Sequence, residues 1–322
     1  MKSSETLIKN SLLILLLPFV LLLVTCKKDD SDNSGSGYRI IYSIISYDQV
    51  KYDNTSYEYA ENKMISVHGY NNEGEELSRV SIDYQDNDSI VMIFSYYMDT
   101  SMVVESKKVL KLDGSHVIEV IYYEADDILW KPSSKLSYSY ENDNLVEFIE
   151  YDDQSSDWMP NHKTVYEYDG TKHTQTTMYK YANGWQTWDK LVFTYIGNNV
   201  DYVLEYVYND GSVIENYKTG FSYEGDLMKA CTDYINDNGS WIASGSTIYT
   251  YDSHNNLESY SLPIDGLTYK VEYEYEKGSG NYMQLLDYYE YDFFLGIEPH
   301  PTKAADRDSI PIFINLGQNS RQ

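Results

Sequence analysis

Six histidines and 51 acidic side chains are the groups in this chain that could move protons or hold a metal. The histidines, His68, His116, His162, His173, His254 and His300, stand alone. None lies two or four residues from another and no cysteine joins them, so a zinc site would need assembly from distant parts of the chain. No Gly-x-Ser-x-Gly, phosphate-cradling loop or His-Glu-x-x-His run is present, and no metal or cofactor is expected. Neighbouring carboxylates such as Asp126/Asp127 and Asp152/Asp153 suggest glycoside hydrolysis, which needs two carboxyl groups across one bond. In so acidic a chain, such pairs arise by chance. The segments Asp83 to Asp88, Glu141 to Asn144 and Asn236 to Asn238 pack oxygen ligands in a way that suits Ca²⁺. None completes an EF-hand pattern, and tight turns favour Asn and Asp for backbone reasons alone, so turn chemistry is the stronger reading. The tryptophans Trp158, Trp185, Trp188 and Trp241 sit near turns. An outward aromatic there can stack on a sugar ring or a partner chain, and an inward one closes the core of a hairpin. The inward reading leads for Trp185 and Trp241. Trp188 and Trp158 are the candidate ligand-binding residues, and for Trp188 both readings stand.

These residues hang on a repeat. An aromatic-x-aromatic pair recurs at Tyr138/Tyr140, Tyr166/Tyr168, Phe193/Tyr195, Phe221/Tyr223, Tyr249/Tyr251 and Tyr273/Tyr275, a period of about 28 residues. The same step backwards reaches Leu110/Leu112, Ile82/Tyr84 and then Tyr57/Tyr59, which makes nine units over about residues 52–295. Each unit has two turn signals. One follows the aromatic pair, as in Asp169-Gly170 and Glu224-Gly225, and the other lies half a unit on, as in Asn183-Gly184 and Asn238-Gly239. Asn-Gly and Asp-Gly suit turns whose central residues need positive φ. Between turns, Tyr, Val, Ile and Thr alternate with polar residues, which is a strand signal. The expected fold is all-β, an antiparallel up-and-down meander of about nine hairpin repeats forming a curled or barrel-like sheet.

Parity assigns the faces. Trp241, Thr247, Tyr249 and Tyr251 are all odd-numbered, as are Trp185, Leu191, Phe193 and Tyr195, so each set is expected on one side of its strand. Ser244, Ser246, Thr250, Lys190 and Thr194 fall on the other. Trp188 has the opposite parity to Trp185, so one of them should face outward. The expectation is one aromatic face and one polar face, with the sheet curling to cover its aromatic side.

The net charge is −27, or −28 once residues 1–25 with Lys2, Lys9 and Glu5 are removed. Such a surface repels nucleic-acid phosphates and anionic membranes, so nucleic acid is excluded as a partner and a neutral glycan or a basic protein surface is favoured. A hydrophobic content of 42% with 36 tyrosines marks a folding chain rather than a disordered one.

At the start of the chain, Lys2 and Lys9 precede an apolar run from Leu12 to Val24, and then come Leu23-Val24-Thr25-Cys26 and Lys27-Lys28-Asp29-Asp30. The apolar run is short of the ~20 residues that span a bilayer as a helix. This order resembles the signal and lipobox of bacterial lipoproteins, in which the cysteine becomes the lipidated N-terminus. Lys27, Lys28, Asp29 and Asp30 resemble the export signal that carries Bacteroidota lipoproteins to the outer face of the outer membrane. The resemblance implies a signal peptide over 1–25, lipidation at Cys26 and a polar tether over 26–37. It makes the outer membrane a partner through a lipid anchor, with the protein facing the cell exterior. Cys231 is then the one remaining thiol, which excludes an internal disulfide. The Tyr-x-Tyr-Asp runs followed by Asn-Leu (Asn144-Leu145, Asn256-Leu257) and the Asn183-Gly184-Trp185 run resemble YD-type repeats of Bacteroidota surface proteins, distantly like the shells of Rhs and teneurin proteins. That resemblance implies a β-rich scaffold.

The expected organisation is a Tyr-rich β-repeat domain over 38–295 and a loosely ordered tail over 296–322. The expected function is a non-catalytic binding or structural module. The alternative is a surface carbohydrate-processing enzyme, which should interrupt the repeat with an insertion that forms a pocket. None is visible.

Overall fold

The computed structural model describes residues 38–277, apart from 61–62, 86–87, 99–100, 115, 127–128, 155–156, 210–211, 226 and 265. The signal, Cys26, the tether and the C-terminal tail lie outside the described residues. Eighteen strands follow one another: β1 (Tyr38–Tyr47), β2 (Val50–Ala60), β3 (Lys63–Asn71), β4 (Glu76–Gln85), β5 (Ser89–Met98), β6 (Ser101–Asp113), β7 (His116–Asp126), β8 (Leu129–Glu141) and β9 (Asn144–Gln154) in the first half, then β10 (Asp157–Asp169), β11 (Lys172–Tyr181), β12 (Trp185–Ile196), β13 (Asn199–Asn209), β14 (Ser212–Glu224), β15 (Leu227–Asp237), β16 (Ser240–Tyr251), β17 (Leu257–Ile264) and β18 (Leu267–Lys277). Each pairs antiparallel with its sequence neighbours, and β1 pairs with β18 from Tyr38–Lys277 to Tyr47–Tyr269. The meander therefore closes into an 18-stranded barrel with no free edge. The nine aromatic or aliphatic pairs expected from the repeat lie one on each even-numbered strand.

The turns are where Asn, Asp and Gly predicted them. Asn142 and Asp143 have φ of 49° and 64°, and Asn238 and Gly239 have 52° and 89°, as two-residue hairpin loops of positive φ require. Turn carboxylates and amides bond to their own loops. Asp252 accepts the backbone N–H groups of His254 and Asn256 at 2.8 and 2.9 Å, and Asn71 does the same for Glu73 and Glu75.

The buried face of a closed sheet is its interior. It carries Met64, Val67, Val80, Met92, Leu110, Val120, Leu136, Tyr138, Tyr166, Leu191, Phe193, Tyr249 and Tyr273, so aliphatic side chains share the core with the aromatic pairs. The tyrosine at the second position of most pairs has a further role. Near its start almost every odd-numbered strand carries a β-bulge, as at Val146 in β9, where Tyr140 opposes Leu145 but Ser139 opposes Glu147. On its other side β9 pairs with β10 only as far as Glu147–Val165, which leaves the Leu145 carbonyl beyond the ladder. The Tyr168 hydroxyl donates to that carbonyl at 2.9 Å. The arrangement repeats round the barrel: Tyr84 to Met64, Tyr140 to Val117, Tyr195 to His173, Tyr251 to Met228 and Tyr275 to Leu257, all at 2.7–3.0 Å. A buried carbonyl without a donor costs about 1–3 kcal/mol, so tyrosine serves here where phenylalanine would not. Burial pushes the Tyr168 and Tyr195 hydroxyls up to about 12, which keeps them donors at any ordinary pH.

A second set of bulges overturns part of the parity reading. The even-numbered strands are bulged near their starts, at Ser133, Asn161, Trp188, Asn216 and Ser244 among others. A bulge adds one residue and reverses the alternation beyond it. Trp185 is therefore on the opposite face from Leu191 and Phe193, and Trp241 on the opposite face from Thr247 and Tyr249. Both tryptophans face outward, and the outer face is not simply polar.

Candidate functional site

On the outer face, a lysine on an even-numbered strand stands directly opposite a tyrosine on the next: Lys107–Tyr123, Lys135–Tyr151, Lys163–Tyr179, Lys190–Tyr206 and Lys218–Tyr234. In three successive units a tryptophan from the strand beyond completes the set. The Lys107 ammonium lies 4.3 Å from the ring centre of Tyr123 and 4.8 Å from that of Trp130. Lys135 lies 4.5 Å from Tyr151 and 5.4 Å from Trp158. Lys163 lies 5.0 Å from Tyr179 and 5.1 Å from Trp185. In the β13–β15 unit, Lys218 sits over Tyr202 and Tyr234 instead. These are cation–π distances, and each lysine fixes two rings at once. Tyr181 adds an edge contact to Trp185 at 5.2 Å, and Lys163 also meets Glu147 at 3.7 Å. The bulges make this row, because without them the tryptophans would point inward. Trp130 is 36% exposed, so a ring edge or face stays open to solvent.

The row lies near one rim, where odd-numbered strands turn into even-numbered ones. Most of the exposed large apolar residues lie near the same rim, including Val50, Leu77, Met98, Leu129, Met159, Val213 and Ile242. Tyr38 and Lys277, the ends of the described chain, are both at the opposite rim.

Of the two candidate residues read from the sequence, Trp158 belongs to this outward row. Trp188 does not. It is the bulged residue of β12 and its ring lies 5.8 Å from that of His162, tilted by 39°, and the His162 Nδ1 is 3.2 Å from the buried Glu150. It is 38% exposed. The structure thus places both Trp185 and Trp158 outside with lysine partners, and sets Trp188 apart from them.

The interior holds a carboxylate cluster that sequence did not single out. Asp189, Glu205 and Asp233 are buried on β12, β13 and β15. Asp189 and Glu205 hydrogen-bond to each other, and burial, reinforced by the Glu205 charge, pushes Asp189 up to about 8. Burial also raises Glu205 against a 2.9 Å hydrogen bond from the Asn216 amide. Burial raises Asp233 against hydrogen bonds from Thr219, at 2.8 Å, and Tyr217. Two carboxyl groups in mutual contact cannot both ionise in such a setting, so the pair holds a proton at neutral pH. Carboxyl groups that hydrolyse a glycoside stand about 5 Å or more apart with the sugar between them, whereas these two touch. Among the described residues no group of three or more His, Cys, Asp or Glu side chains is placed to hold a metal ion.

No protein-family model matches the chain, and no curated protein is significantly similar to it. Among solved structures it is similar to a protein of unknown function from Bacteroides fragilis, with 16% identity and a TM-score of 0.31 over 34% of this chain and 91% of that one. It is also similar to a porin-like protein from Bacteroides uniformis, with 9% identity and a TM-score of 0.38 over 74% of this chain and 98% of that one. A third likeness, to TcdB2-TccC3, has 9% identity and a TM-score of 0.38, and covers 67% of this chain but 14% of that one. Likenesses at this level carry no argument about function.

Proposed function

We propose that this chain is a lipid-anchored protein of the bacterial outer membrane that faces the cell exterior and acts as a non-catalytic binding barrel of the YD-repeat type. The observation that carries the reading is the uninterrupted repeat. No connection between consecutive strands is longer than five residues, so no inserted element builds a substrate pocket among the described residues. The buried carboxylate pair supports binding over catalysis, because its members are in contact and enclosed. The outer face supports a tethered barrel rather than a membrane-spanning one. Glu119, Lys135, Glu147 and Lys163 point outward within their strands, where a lipid-facing barrel needs an apolar band about 25 Å tall. The net charge of −27 favours a neutral glycan or a basic protein surface as ligand.

Anchoring rests on Cys26 and is tested there. Cys26→Ala should release the protein from the membrane fraction, and replacing Lys27 to Asp30 by alanine should keep lipidation but abolish protease access on intact cells. A Cys26→Ala protein that stays membrane-bound with unchanged mass would refute the lipid anchor.

A further inference from the structure

We infer that the outward rings of Tyr123/Trp130, Tyr151/Trp158 and Tyr179/Trp185 form a binding surface for a neutral, extended polysaccharide, an inference that rests on the binding-barrel reading above. The first ground is preorganisation. Each pair is clamped by a lysine ammonium 4.3–5.4 Å from both ring centres, so little side-chain freedom remains to be lost when a ligand stacks. Such a clamp has no part in the core, which lies on the other face.

The second ground is the pattern. The ring pairs are not one continuous apolar patch, since a lysine stands between each pair and the next. A protein interface core is depleted in such charges. A row of separate platforms with polar groups between them suits a ligand made of repeated rings, each with an apolar face and hydroxyl edges. Successive units are two strands apart, about 10 Å across the strands and more along the barrel's tilt, so one chain of several sugar rings reaches more than one platform. Linked platforms then add avidity without new contacts.

The third ground is charge and position. Single-stranded nucleic acid also stacks on aromatic rows flanked by lysine. Here the lysines sit against rings, and Lys163 also meets Glu147, within a molecule of net charge −27, which repels polyanions. The row is at the rim away from Tyr38 and Lys277, the ends of the described chain.

The test is affinity electrophoresis of the full-length protein through gels holding a soluble neutral β-glucan, mannan or xylan, with polygalacturonate as the charged comparison. The wild type should be retarded by at least one neutral polymer and not by polygalacturonate. Trp158→Ala should weaken retardation several-fold and Trp130→Ala/Trp158→Ala/Trp185→Ala should abolish it, with unchanged circular dichroism. Thr250→Ala, on the outer face but outside the row, should behave as wild type. Retardation that survives the triple substitution would overturn the row as the binding surface and leave the binding-barrel reading standing. Retardation only by polygalacturonate would overturn the neutral ligand. A wild type retarded by no polymer would overturn this inference, and a wild type that also captures no basic protein would overturn the reading beneath it.

Discussion

The Asp189–Glu205 contact sets a measurable pH response. Unfolded, the Asp189 carboxyl ionises near its ordinary 3.8, and folded it holds its proton up to about 8. Between those values the folded state carries the extra proton, so its stabilising effect is complete at the acid end and lost as pH rises towards 8. One proton corresponds to about 1.4 kcal/mol per pH unit. Glu205 and Asp233, also raised by burial, add to the same trend. His173 acts in the other direction. Burial lowers it to about 4, against a hydrogen bond with the Gln175 carbonyl, so stability is lost as pH falls from about 6.5 to 4. Asp189→Asn cannot ionise and should flatten the loss between pH 4 and 8, overtaking the wild type in urea unfolding at the alkaline end. Parallel stability curves for the two proteins would show that the Asp189 proton is not held. None of these carboxyl groups was distinguishable in the sequence. With 51 acidic residues, the three that matter are marked only by facing inward, and that depends on register.

At the scale of the strand, the legible features were those with a chemical signature. Asn-Gly and Asp-Gly marked turns because few residues accept positive φ, and the aromatic pairs marked the inward face near the end of most even-numbered strands. The bulges have no such signature. Ser133, Asn161, Trp188, Asn216 and Ser244 share no residue type, yet each reverses the alternation between itself and the turn. Counting parity from Tyr195 therefore placed Trp185 inward, and counting from Tyr251 did the same for Trp241. The lysine–tyrosine pairing was hidden for the same reason, since it joins residues whose register the bulges set. Deleting Asn161 should restore strict alternation in β10, turn Trp158 inward and cost several kcal/mol. Asn161→Ala keeps the bulge and should stay within about 0.5–1 kcal/mol of wild type. Equal urea midpoints for the deletion and the substitution would contradict this account of the faces.

At the scale of the molecule, the period of about 28 residues implied nine hairpins, but it left open whether the sheet closed. Closure follows from the β1–β18 register, a pairing between the first and last described strands for which local sequence carries no signal. The closed barrel separates two tasks. Its interior, with the tyrosine hydroxyls capping carbonyls beyond the ladder, holds the shape. Its exterior near one rim presents lysine-clamped aromatic rings, while the described residues begin and end at the other. Such a molecule should hold a polymer and leave it whole. The direct test is to incubate the full-length wild type with a neutral polysaccharide that it retains, recover the bound polymer, and measure its chain length and reducing ends. The account predicts recovered polymer of unchanged length, with reducing ends no more numerous than in a sample kept without protein. Shortened chains whose reducing ends increase with incubation time would contradict it and make the barrel an enzyme.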